Sequence, residues 1–253
     1  MSRMIPNNQI TLLQNGEAYF PAIEAALDRA MYVIYIETYI FENDNTGRRI
    51  AEALKRAALR GVTTCVLIDG FGSIGFPKTM VDDLEAAGAR VLKFRPKTSP
   101  WTLRRRRLRR LHRKIVVVDR TIAFVGGMNI MDHMDIHGQT STRFDYAVSV
   151  EGPLVKEIHE SVSRVWSRVA RARLPPGWDE NNGRHVPSTR PKGRVRSAFL
   201  VRNNIRHRRD IEDAYLQAIG QARYEIILAS AYFLPGLNLR HALVAAAGRG
   251  VRV

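Results

Sequence analysis

Cysteine is almost missing from this sequence, with one residue, Cys65, in 253. A single cysteine cannot close a disulfide within the chain, so the fold has to rest on packing, and nothing points to an oxidising compartment. Cys65 lies in the run Val62-Thr63-Thr64-Cys65-Val66-Leu67-Ile68 and reads as a buried strand residue. Long apolar runs are missing too. None approaches the ~18 residues of a membrane-spanning helix, and Met1 to Asn8 lacks the apolar stretch of a secretory leader. Acidic residues are scarce relative to basic ones, 24 against 40, for a net charge of +16. That imbalance draws a protein toward polyanions, either nucleic acid or an anionic membrane leaflet. The hydrophobic share of 45% excludes a disordered chain. These features together predict a globular, cytoplasmic protein whose membrane contact is peripheral.

The residues that are present alternate in a readable way. Tyr32 to Phe41 (YVIYIETYIF) is rich in β-branched and aromatic residues and reads as a buried strand. Arg48 to Leu59 carries Ile50, Ala53, Leu54, Ala57 and Ala58 on one helix face, with Gly61 as its C′ residue. Strands follow at Val62–Ile68 and Arg90–Phe94, with a helix at Lys78–Ala87 between them. After Pro96 come two short strands, Ile115–Asp119 and Thr121–Val125, then a Gly126-Gly127-Met128-Asn129 loop, a strand at Phe144–Val150 and an amphipathic helix at Leu154–Arg171. The pattern predicts an α/β fold with a mixed, largely parallel sheet flanked by helices. Leu174 to Arg194 is rich in Pro, Gly and Asn and reads as a linker.

An internal repeat supports that division. Ala53–Thr64 (ALKRAALRGVTT) and Ala242–Val253 (ALVAAAGRGVRV) match at seven of twelve positions with an offset of 189. Glu17–Ile23 (EAYFPAI) similarly matches Asp213–Ile219 (DAYLQAI). The expected organisation is a first half over residues 1–173, a linker over 174–194, and the beginning of a second, similar half over 195–253. The first copy continues for 52 residues from Arg60 to His112, and the second continues for four beyond Arg249. The chain is therefore expected to be part of a longer two-copy protein or a shortened relative of one.

The chemistry concentrates in His112-Arg113-Lys114-Ile115-Val116-Val117-Val118-Asp119, an HxKxxxxD pattern. In an extended chain His112 and Lys114 share a face. An imidazole there can attack phosphorus, and the ammonium beside it can offset charge on the non-bridging oxygens. Asp119 falls at a turn, where a carboxylate braces a loop more readily than it reacts. Gly127 allows a phosphate to approach the backbone, and Asn129 has an amide to donate. Asp145, opening the next strand, is a candidate partner for His112 Nδ1. His133 and His137 have metal-pair spacing but no third ligand nearby, so no metal site is expected.

HRKIVVVD, FVGGMN and DYAV, with IET, LIDG and ASAYFLPG, resemble the phospholipase D superfamily and, within it, bacterial cardiolipin synthases of the B type. The resemblance implies two similar sheet-based halves, each giving one HKD motif to a shared site. It implies cofactor-free and metal-free transfer of a phosphatidyl group between anionic phospholipids at the cytoplasmic face of the inner membrane. It also implies that His112, Lys114 and Asp119 are the catalytic motif and that Asn129, Gly127 and Asp145 are substrate contacts. This sequence departs from the pattern in having no second HxKxxxxD: His185, His207 and His241 lack the lysine and aspartate at the required spacing. The chain alone is therefore expected to be inactive unless it pairs as a homodimer. The run Arg104–Arg110, directly before the nucleophile, is the expected contact with lipid headgroups. A nuclease acting on the same chemistry, and a non-catalytic basic binding fragment, are the competing readings.

Overall fold

The computed structural model describes residues 3–95, 110–132, 144–171, 173, 188–201, 209–230 and 233–253. It divides into two compact units, Ile5–Ser197 and Met1–Met4 with Ala198–Val253. The linker core, Arg104–Arg109 of the basic run, and His133 and His137 lie outside the described residues.

The larger unit is built on one sheet. Its strands are β1 (Ile5–Gln14), β2 (Val33–Thr38), β3 (Thr63–Asp69), β4 (Arg90–Phe94), β5 (Ile115–Val118), β6 (Ile122–Gly126), β7 (Tyr146–Glu151) and β8 (Val195–Ser197), in the order β4-β3-β2-β5-β6-β7-β1-β8. The expected mixed α/β architecture is present. Among these eight strands, parallel pairing is confined to β2, β3 and β4, however, and every other strand pair is antiparallel. The reason is local. β5 and β6 are joined by the tight turn at Asp119-Arg120, both residues with positive φ, and a turn that short can only return the chain antiparallel. β8 pairs with the edge of β1, so the compact unit extends three residues past the expected boundary at 195.

Helices cover both faces. α1 (Asn15–Arg29), α2 (Asn45–Leu59) and α3 (Lys78–Ala86) lie over Ile34, Ile36, Val66, Ile68, Val116 and Val118. α4 (Leu154–Ala170) covers the opposite face, where Tyr35 packs edge-on against His159 and Trp166. α2 buries all five of its expected apolar positions and starts at Asn45 because the Asp44 side chain accepts from Gly47 N at 2.8 Å.

The smaller unit contains α5 (Asp210–Gln221) and α6 (Leu237–Gly248), and the sequence repeat is also a structural one. At the end of α2, Gly61 has φ +85° and the N–H groups of Gly61 and Val62 donate to Ala58 O and Ala57 O at 2.9 and 3.1 Å. At the end of α6, Gly250 has φ +86° and the N–H groups of Gly250 and Val251 donate to Ala247 O and Ala246 O at the same distances. Both ends are Schellman caps, which need a left-handed residue and so select glycine. Arg60 donates to Leu27 O at 2.9 Å, tying α2 to the end of α1, and Arg249 donates to Ile219 O at 3.0 Å, tying α6 to α5.

Candidate active site

The ends of β2 and β6 meet the start of β5, and there the chain leaves regular sheet. Asp69, fully buried at the end of β3, accepts from Phe71 N and Gly72 N through Oδ1 and from Leu111 N through Oδ2 at 2.7 Å. It therefore fixes the backbone one residue before His112. His112 and Lys114 then project together, with Lys114 Nζ 3.2 Å from both His112 Nδ1 and Nε2. His112 is exposed, whereas Lys114 is 6% exposed. The Tyr39 ring lies 4.8 Å from the imidazole and 5.4 Å from Lys114 Nζ, bracketing the pair with an aromatic face.

The electrostatics suit an anion. Burial lowers the Lys114 pKa to about 8, against the opposing pull of Asp145. Burial and then the neighbouring Lys114 push His112 below its ordinary value. The imidazole is therefore neutral and nucleophilic near pH 7, beside an ammonium that still carries its charge.

Arg113 points to the opposite side of the chain. Its Nε approaches Glu37 Oε2 at 3.0 Å, and it donates to Ser161 Oγ of α4 at 3.0 Å. Glu37 is 1% exposed in β2, and neither of its oxygens accepts a well-formed hydrogen bond among the described residues. Burial pushes its carboxyl up to about 7, with Arg113 pulling it down.

The other expected residues separate by position. Asp119 stands at the far end of β5 from His112. It accepts from Met31 N, Tyr32 N and Val33 N at 2.8, 2.7 and 2.9 Å, which makes it a brace on the α1–β2 connection. Asn129 Oδ1 accepts from Ile40 N at 3.1 Å, and its Nδ2 has no partner among the described residues. Asp145 makes no hydrogen bond to His112 among the described residues. Its Oδ1 accepts from Tyr146 N at 2.8 Å, and its charge opposes the burial that lowers the Lys114 pKa and adds to the burial that raises that of Tyr19. A Cβ at Gly127 would overlap Asp145 Oδ1. Gly127→Ala is therefore expected to displace Asp145 and drop the Lys114 pKa below its present value, measurable by NMR titration of the ammonium against the unaltered chain. Among the described residues no cluster of three His, Cys, Asp or Glu could hold a metal ion.

Residues 23–166 match the family described as cardiolipin synthase, PLD-like domain. The chain belongs to this family. Cardiolipin synthase B of Escherichia coli (strain K12) is 40% identical over 257 residues, covering 97% of this chain and 59% of that protein. Cardiolipin synthase A of Pseudomonas putida KT2440 is 33% identical over 250 residues, covering 98% of this chain and 50% of its own length. The chain thus spans about half to three fifths of the length of these relatives. Phosphatidylserine synthase of Haemophilus influenzae Rd KW20 shares the fold with TM-score 0.67 at 14% identity, over 100% of this chain and 62% of that one.

Within this PLD-like domain, motif spacing pointed to His112 and Lys114 but left their support unseen. Tyr39, Asp69, Glu37, Arg113 and Ser161 carry no spacing signal. Glu37 did offer a clue of its own, as a charge in the middle of the otherwise apolar Tyr32–Phe41 run, since a charge there needs a partner.

Proposed function

We propose that this chain supplies the nucleophilic half-site of a phosphatidyltransferase that makes cardiolipin from phosphatidylglycerol. The observation that carries the reading is the exposed His112 imidazole 3.2 Å from the buried Lys114 ammonium, in a chain 40% identical to cardiolipin synthase B. A ring nitrogen of His112 attacks phosphorus, the phosphorus–oxygen bond to the glycerol headgroup breaks, and glycerol leaves with a proton from a general acid. The terminal hydroxyl of a second phosphatidylglycerol then attacks phosphorus, loses its proton, and breaks the phosphorus–nitrogen bond. Lys114 stabilises the charge that builds on the non-bridging oxygens, and Asn129, whose Oδ1 is held by Ile40 N next to Tyr39, is assigned as a further donor through Nδ2. The sequence contains no second HxKxxxxD, so the general acid comes from a second copy or from further sequence of a longer protein. Peripheral contact with the membrane delivers the lipid. No helix of the described residues is long and apolar enough to cross a bilayer.

The test is to incubate the chain with phosphatidylglycerol vesicles and follow cardiolipin and glycerol in equal amounts, with acid-labile, alkali-stable phosphate captured on the protein. The rate should fall as pH rises through about 8, because Lys114 loses its charge there. A rate proportional to the square of the protein concentration identifies a pair of chains. Hydrolysis of DNA with no lipid product overturns the reading in favour of a nuclease.

A further inference from the structure

The outer stripe of α4 carries charge that neither the fold nor the reaction uses. Arg164, Arg168 and Arg171 fall at i, i+4 and i+7, one line along a helix, and with Ser163 and Ser167 they line a depression of 360 Å³. All three arginines, and Arg173 beyond them, are exposed. From Ser161 to Arg173 there is no acidic residue, and among the described residues none of these four guanidinium groups forms an ion pair. A cation in the last turn complements the helix dipole. That effect covers one residue, so it does not explain a stripe that extends for two turns. The opposite side of α4 buries Ile158, Val162, Trp166 and Ala170 against the sheet, so the stripe has to face away from it.

We propose that this stripe is a second membrane-docking surface, taking the phosphate groups of an anionic lipid bilayer. The forked donors of arginine suit phosphate oxygens, and the serine hydroxyls between them add neutral donors at the same depth. The arginines also begin one turn after Ser161, the residue that holds Arg113 beside His112. A bilayer seated on them therefore lies within one helix turn of the strut that carries the nucleophile. This surface is made of residues other than the basic run at Arg104–Arg110. It goes beyond the proposed reaction and does not depend on it, because docking can be measured without turnover.

The test uses the full chain and vesicles of phosphatidylcholine with or without about one third phosphatidylglycerol. Each arginine near an anionic surface contributes roughly a fivefold gain in partitioning. Arg164→Ala, Arg168→Ala and Arg171→Ala combined should therefore weaken cosedimentation with the anionic vesicles about 100-fold, with an unchanged melting temperature. The same net charge removed from α1 and α2, on the other face of the sheet, by Arg29→Ala, Arg49→Ala and Arg56→Ala should cost only about threefold, through the long-range field alone. Cys65 is buried, so a Ser163→Cys variant offers one accessible thiol. A fluorophore there should be quenched by headgroup-labelled lipid. Equal losses from the two triple variants, an unquenched probe, or loss of duplex DNA binding with vesicle binding intact would each overturn the proposal.

Discussion

His112→Ala is expected to abolish phosphatidyl transfer, by about 10⁴-fold or more, and to leave thermal stability within about 0.5 kcal/mol of the unaltered chain. Asp119→Ala should do the reverse to stability, although both residues belong to one eight-residue motif. His112 is exposed, and among the described residues its ring meets Lys114 and Tyr39, so its removal opens the Lys114 ammonium it covers to water instead of leaving it dry and unpartnered. Asp119 holds three consecutive backbone N–H groups and sits at φ +49°. Alanine loses all three bonds and pays for the left-handed backbone that aspartate and asparagine tolerate. Two of the three donors lie near solvent and recover water. The expected cost is therefore about 3 kcal/mol, or a melting point lower by roughly 6–12 °C in a chain of this size. Asp119→Asn keeps the turn geometry and one acceptor and should recover about half. The measurements are the transfer rate and a thermal melt on each variant. A His112→Ala chain that still forms cardiolipin removes His112 as nucleophile. An Asp119→Ala chain that melts normally but transfers nothing returns the aspartate to the chemistry.

That contrast also marks how far the sequence could be read. The apolar strands β2, β3 and β5, and helix α2, follow from residue type and period because their side chains decide their own burial. The expected Tyr32–Phe41 strand stops at Thr38 because the next residues turn to place Tyr39 against His112, a demand made by the site and not by propensity. β1 was not legible. Its sequence, IPNNQITLLQ, has polar residues and a positive φ at Asn7, and it is a strand because β7 and β8 pair with it across more than 130 residues. The sheet's parallel share was overread for the same reason. A strand's partner is a tertiary fact, and only the short Asp119-Arg120 turn announces one locally. At the site, spacing identified the pair of side chains that stand together, His112 and Lys114, since neighbours two apart share a face whatever the fold. Asp69 and Ser161 lie 43 residues before and 49 residues after His112 in sequence. Only folding brings them to it, so no spacing rule could reach them.

Arg113→Leu is expected to destabilise the chain by about 3 kcal/mol at pH 8 and by markedly less at pH 5, because it strips a buried carboxylate of its only ion-pair partner among the described residues. The sign follows from Glu37, whose carboxyl burial lifts to about 7 in the folded chain from 4.5 in a free one. A group that holds its proton more tightly when folded contributes no penalty below about 4.5. It costs stability as pH rises from there through about 7, where the folded protein must either ionise a buried group or keep a proton the unfolded chain has released. Arg113 lowers that pKa, so removing it moves the fall to higher pH and deepens it. Glu37→Gln added to Arg113→Leu should abolish the difference between the two pH values, since the carboxyl whose titration Arg113 shifts is gone. Urea unfolding at pH 5 and pH 8 on the three chains measures this. Equal losses at both pH values would show that Arg113 acts through packing alone. The same variant reports on function. Arg113 is the one residue between His112 and Lys114, and its bonds to Glu37 in β2 and Ser161 in α4 turn its two neighbours toward the opposite face. Freed of that strut, imidazole and ammonium lose their fixed 3.2 Å approach, so transfer should slow even at pH 5, where the fold survives.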